Sequence, residues 1–155
     1  MEYQKALHSA ADMCSRQERC VSEIRKKLIK WELTEEEVET AIAYLIKEKF
    51  IDEDRFASFY VRDKFRFNGW GRIKIRWQLR QKEVNNASME EALESLSEES
   101  YLEKLAELLY NKKRQIKNKD VWQTKAALVR FGQSRGFEPD LVYNQVDRLL
   151  NADNS

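Results

Sequence analysis

One proline and four glycines in 155 residues are too few turn-formers for a sandwich or barrel, which needs turn signals every ~8 to 12 positions. Two cysteines, Cys14 and Cys20, fit none of the usual zinc spacings. They read as buried or idle thiols in a reducing compartment. A lone histidine, His8, supplies neither a triad nor a metal cluster. The chain has no G-x-S-x-G, no phosphate-binding glycine loop, no H-E-x-x-H and no dinucleotide fingerprint. No enzyme activity, cofactor or metal is therefore expected. The segment MEYQKALHSAADMC lacks the apolar core of a signal peptide, and no run approaches the ~20 apolar residues of a membrane span. A cytoplasmic protein without membrane contact is the expectation.

What is present is helix-forming: Ala, Leu, Glu, Lys, Arg and Gln dominate, and 42% of residues are hydrophobic. The net charge of +1 conceals segregation. Residues 1–52 sum to −2, 53–84 to +5, 85–107 to −6, 108–136 to +7 and 137–155 to −3. Local charge, unlike the total, bears on partners.

Self-comparison finds a threefold repeat. Glu23–Trp31 (EIRKKLIKW) aligns with Lys74–Lys82 (KIRWQLRQK) at a shift of 51, and the frame reaches Gln123–Phe131 (QTKAALVRF) after a further 49. Each repeat is three helices, giving an all-α chain divided at 1–52, 53–98 and 99–155, the last with a short polar tail. Leading helices are expected over Tyr3–Cys14, Asp54–Phe67 and Glu99–Lys117. Thr34 with Glu37 and Ser88 with Glu91 read as capping boxes, and Pro139 opens the final helix. Ser15 with Glu18, Asn68, and Asp120 with Gln123 are the expected caps of the middle helices.

From Arg72 to Arg80 polar and apolar residues alternate as in a strand. The repeat overrides that pattern, because the aligned segments are helical. At ~100° per residue, Ile75 and Leu79 form one apolar edge and Ile73 and Trp77 a second. A central helix packed between two neighbours would cover both, so Trp77 is expected to be buried. Phe56, Phe59 and Trp122 are likewise expected in the core.

Arg72, Arg76 and Arg80 fall at i, i+4 and i+8, with Lys64 and Arg66 approaching from the preceding helix. Lys112, Lys113, Arg114, Lys117 and Lys119 form a second basic block, followed by Lys125, Arg130 and Arg135. Such stripes either grip phosphates, as in helix-turn-helix proteins, or simply solubilise the surface. Trp70, between two glycines, is a stacking platform or a plug between repeats.

The run Ile51-Asp-Glu-Asp-Arg-Phe-Ala57, then Asn68-Gly-Trp-Gly-Arg-Ile73 and Ile75-x-x-x-Leu79, resembles the RecX family of regulators of the RecA recombinase. The likeness extends through Ser22-Glu-Ile-x-x-x-Leu28 and Ala126–Phe131 with Arg135-Gly-Phe137. It implies tandem three-helix repeats in an elongated, curved array that lodges in the groove of the RecA filament on single-stranded DNA. There, the resemblance implies, a monomer modulates and usually inhibits ATP hydrolysis, strand exchange and coprotease activity in DNA repair. RecA and DNA would meet Lys64, Arg66, Trp70, Arg72, Lys74, Arg76, Arg80, Lys112, Lys113, Arg114, Lys117 and Lys119. Asp54, Arg55, Phe56 and Ala57 at the joint between repeats, and Gly69, Gly71, Arg72 and Ile73 at the entrance to the middle helix, would be structural, and Trp77 is read as packing between repeats. Two departures stand out. Trp70 replaces a frequent proline, and Glu32 and Glu83 replace frequent glycines, so the first two middle helices are expected to end differently from the third.

Overall fold

The computed structural model describes residues 1–153. Among them are nine α-helices and no strand: α1 (Tyr3–Arg16), α2 (Val21–Lys30), α3 (Glu35–Lys47), α4 (Glu53–Asn68), α5 (Arg72–Gln81), α6 (Asn86–Glu94), α7 (Glu98–Gln115), α8 (Val121–Ser134) and α9 (Pro139–Asp153). The last part of the expected polar tail, residues 154 and 155, lies outside the described residues. The alternating stretch is helix, as the repeat requires. No helix among the described residues is long and apolar enough to cross a membrane.

Local chemistry sets the helix starts. The Thr34 hydroxyl accepts from the Glu37 N–H at 3.2 Å while Glu37 accepts from the Thr34 N–H at 2.9 Å, and Asp120 and Gln123 reciprocate at 2.8 and 3.2 Å. Three expected caps are corrected. Ser15 lies inside α1, bonded to the Ala11 carbonyl, and α2 starts after Cys20, whose N–H donates to Glu23 at 3.1 Å. Asn68 closes α4 and does not open α5. Asn85 caps α6 by accepting from the Ser88 N–H at 2.8 Å, while the Ser88 hydroxyl bonds Asp54. At α2 and α6 a residue next to the true first turn takes the orphan N–H groups, whereas at α5 the N–H groups of Arg72 and Ile73 go to the Tyr101 hydroxyl and the Gly136 carbonyl.

The middle helices end alike, contrary to expectation. Glu32, Glu83 and Gly136 all take left-handed φ values, 65°, 59° and 92°. The N–H groups of Leu33, Val84 and Phe137 then reach back to the carbonyls of Leu28, Leu79 and Gly132 at 3.3, 3.2 and 3.3 Å. This is the six-to-one closure of a Schellman motif, completed by a buried apolar residue just beyond it. Burial of Leu33 and Val84 offsets the ~1 kcal/mol that a side chain costs in that conformation.

The chain divides into two compact units, and the division passes through α4, α5 and α6. The first comprises Met1–Tyr60 and Gln78–Ala92. Its core joins Ala6, Ala10 and Cys14 of α1 to Ile24 and Leu28 of α2, Val38, Ala41, Ile42 and Leu45 of α3, and Leu33 and Ile51. The second comprises Val61–Trp77 and the chain from Leu93. Its core is built from Tyr101, Leu105 and Leu109 of α7, Leu128 and Val129 of α8, Phe137, and Val142 and Val146 of α9.

Burial overturns part of the aromatic reading. Ile75 and Leu79 are fully buried, but Ile73 is 45% and Trp77 57% exposed, so the second apolar edge of α5 is not covered. At this position the polypeptide backbone makes the joint: the Ile73 N–H donates to the Gly136 carbonyl at 3.0 Å, which leaves the side chain outside. Phe56 is buried and stacks on Tyr60, whereas Phe59 and Trp122 are exposed, the latter by 79%.

Candidate nucleic-acid interface

Most of the basic residues singled out in the sequence fall in the second unit; Arg80, exposed, belongs to the first. The unit's scaffold is fixed where α5 begins. Gly71 donates its N–H to the Arg135 carbonyl at 2.8 Å, and a Cβ there would lie 2.5 Å from the Gly136 oxygen. A Cβ on Gly136 would lie 2.2 Å from that of Lys74. Two glycines thus allow two turns to touch through their backbones. Gly69 turns the chain out of α4 with a φ of 67°.

Arg72 belongs to this scaffold. Its side chain is 16% exposed, its guanidinium lies 3.7 Å from the centre of the Tyr101 ring, and it pairs with Glu98 and, at 2.8 Å, with Glu138. The Tyr101 hydroxyl donates to Glu138 and accepts from the Arg72 N–H at 2.9 Å. Burial, then the bond to Glu138, pushes the Tyr101 phenol well above its ordinary range. Burial alone would lower the Arg72 pKa; hydrogen bonds to Glu138 and Glu98 outweigh it and raise it. The arginine stripe is therefore not uniform, since its first member is committed within the fold. Tyr101, Glu98 and Glu138, which hold it, lie tens of residues away, and no local pattern marks them.

Around this core, cations lie over aromatic rings. Lys64 and Lys74 place their ammonium groups 5.4 and 4.9 Å from the centre of Trp70. Lys112 and Arg135 do the same over Phe131 at 5.3 and 5.4 Å, and Arg114 lies 6.0 Å from Tyr110. Arg135 also donates to the Asn68 carbonyl at 3.3 Å, tying the residue before Gly69 to the end of α8. Arg66 is exposed, its carbonyl held by Lys104 at 3.0 Å. Arg76 and Lys113 are half-buried, and Lys117 and Lys119 are exposed between α7 and α8. Cation–π contacts of this sort hold side chains in place while leaving their charge in water.

The residues read as joints have definite partners in the first unit. Arg55 donates to Glu18 at 2.6 Å and to the carbonyls of Lys49 and Phe50 at 3.1 and 3.2 Å, closing the turn between α3 and α4. Asp54 accepts from Ser88, and Ala57 is fully buried. The buried Ser22 hydroxyl donates to the Lys82 carbonyl at 2.6 Å, while the Lys82 ammonium meets Glu23 at 3.3 Å. The start of a middle helix thus receives the end of the next one, as Gly71 and Ile73 receive Arg135 and Gly136.

Burial pushes the Cys14 thiol up to about 11 and raises that of Cys20, which leaves both as poor nucleophiles. Among the described residues no group of His, Cys, Asp and Glu could hold a metal ion.

The fold and this surface define a helical-repeat protein carrying basic side chains interleaved with aromatic rings. Residues 6–45 match the family model of the first RecX three-helix domain and residues 52–93 that of the second. The chain belongs to the RecX family. It is 32% identical over 119 residues to the regulatory protein RecX of Clostridium acetobutylicum, covering 74% of this chain and 55% of that one. It is 28% identical over 153 residues to that of Clostridium perfringens strain 13, covering 97% and 71%. The chain thus spans about half the length of the Clostridium acetobutylicum protein, and 55% of its relative from Leuconostoc mesenteroides. A solved structure of a regulatory protein RecX superposes with a TM-score of 0.86 at 27% identity, over 94% of this chain and 73% of that one. RecX from Lactobacillus salivarius shares the fold, with a TM-score of 0.85 at 21% identity.

Proposed function

We propose that this chain regulates the RecA recombinase, usually as an inhibitor, by binding in the groove of the RecA filament on single-stranded DNA. There a single copy modulates ATP hydrolysis, strand exchange and coprotease activity in DNA repair, within the cytoplasm and without a cofactor. The observation that carries this reading is the second unit's set of cations: Lys64, Lys74, Lys112, Arg114 and Arg135 lie over aromatic rings. A groove formed by protein and phosphate suits a chain whose basic blocks alternate with acidic ones. Family membership supports the regulatory role.

A second reading, an autonomous DNA-binding protein, draws on Lys117 and Lys119, which are exposed and hold no ion pair among the described residues. RecA ATPase activity on single-stranded DNA separates the two when salt is high enough to suppress simple competition for DNA. A regulator still changes hydrolysis at stoichiometric amounts under those conditions. A protein that merely covers DNA loses its effect, with affinity falling at a log–log slope of about −0.7 per neutralised phosphate on a single strand.

A further inference from the structure

We propose that Trp122 is a stacking platform for an unpaired base of single-stranded nucleic acid, with Lys117 and Lys119 holding the adjoining phosphates. The proposal rests on the reading of this chain as a protein that works on nucleic acid, and names the place of contact. Trp122 is 79% exposed, the most exposed of the large apolar side chains, and Val121 beside it is 62% exposed. An indole left so far in water, on a chain that buries Tyr101 and Phe137 completely, contributes little to the core.

Its surroundings select the partner. The stretch from 108 to 136 carries a net charge of +7 with a single acid, Asp120. That carboxylate is turned into the helix as the α8 cap, accepting from the Gln123 N–H at 2.8 Å. Lys117 and Lys119 are exposed and hold no ion pair among the described residues, and Lys125, one turn after Trp122, pairs with Asp147 at 3.0 Å. Asn118 takes a left-handed φ of 59°, turning the chain between the two lysines.

An exposed flat ring in a stretch of chain rich in cations suits the two surfaces of a single strand, whose bases offer π-faces and whose backbone offers charge. Trp70 fits that role less well. Two lysine ammonium groups already lie over its ring, so a base would have to displace them.

The test is fluorescence anisotropy of a labelled oligothymidylate of about 20 nucleotides, titrated at several salt concentrations with the whole chain and its variants. Trp122→Ala should weaken binding about tenfold and leave the salt slope unchanged, because no charge is lost. Trp122→Phe should keep most of the affinity. Trp122→Leu, which preserves apolar bulk without a π-face, should behave as Ala does. Lys117→Ala with Lys119→Ala should reduce the slope by about 1.4. Wild-type affinity in the Leu variant, or no binding of the oligonucleotide by the unaltered chain, overturns the proposal. A separate outcome bears on the recombinase: Trp122-dependent binding with no effect on RecA ATPase would sink the regulatory reading and leave this contact standing.

Discussion

Arg72 shows how a residue's chemistry depends on what surrounds it. In sequence it heads an evenly spaced basic stripe; in the fold it lies against Tyr101 and two carboxylates. Arg72→Ala should therefore lower stability by about 2 kcal/mol, the scale of a charged hydrogen bond lost from a partly buried site, as read from urea denaturation. A purely surface role predicts no change. Gly71→Ala should be more damaging, because the new methyl would sit 2.5 Å from a backbone oxygen that cannot swing aside. Glu53 offers a prediction in pH. Burial, then the neighbouring charges of Asp52 and Asp54, raises its pKa above the ordinary 4.5, and its Oε2 is buried without a partner. A carboxyl whose folded pKa is raised favours the folded state while protonated, and that stability is lost as pH rises from about 4.5 through the folded pKa. Glu53→Gln should thus stabilise the chain at pH 7, by a margin that shrinks towards pH 4 in paired urea titrations.

At the scale of the helix, the ends of α2, α5 and α8 carry one motif on different residues. Glu32 and Glu83 hold the left-handed position that Gly136 occupies without a side chain. Glu83→Gly should raise stability by about 1 kcal/mol, since glycine relieves that conformation. A fall in the thermal midpoint would show that the glutamate side chain earns its place there.

Helices and repeats were legible because three copies of one pattern constrain each other. The Leu28, Leu79 and Leu128 frame overrode a strand-like alternation that nine residues alone supported. Which apolar edge would be covered was not legible. Ile73 and Trp77 have the same helical spacing as Ile75 and Leu79, and periodicity does not say what lies opposite. Cap positions failed where the helix starts a few residues away from the residue singled out, after Cys20 and not Ser15, and after Asn85 and not Ser88. Of the candidate surface, the basic blocks could be read directly. The partner that withdraws Arg72 and the exposure of Trp122 depend on contacts distant in sequence.

At the scale of the whole molecule, one joint appears in each unit: the start of a middle helix meets the end of the middle helix that follows. Ser22 makes it with a hydroxyl, Gly71 and Ile73 with backbone N–H groups. Building the repeats this way leaves Arg66, Arg114, Lys117 and Lys119 of the second unit exposed, as the proposed contact with a nucleoprotein filament requires. The central claim is tested most directly by RecA ATPase activity on single-stranded DNA at elevated salt, with this chain added at stoichiometric amounts. The account predicts reduced hydrolysis that survives salt and weakens when Arg114, Lys117 and Lys119 are reversed to Glu in a chain that keeps its helical signal. Unchanged hydrolysis with the unaltered chain would contradict it.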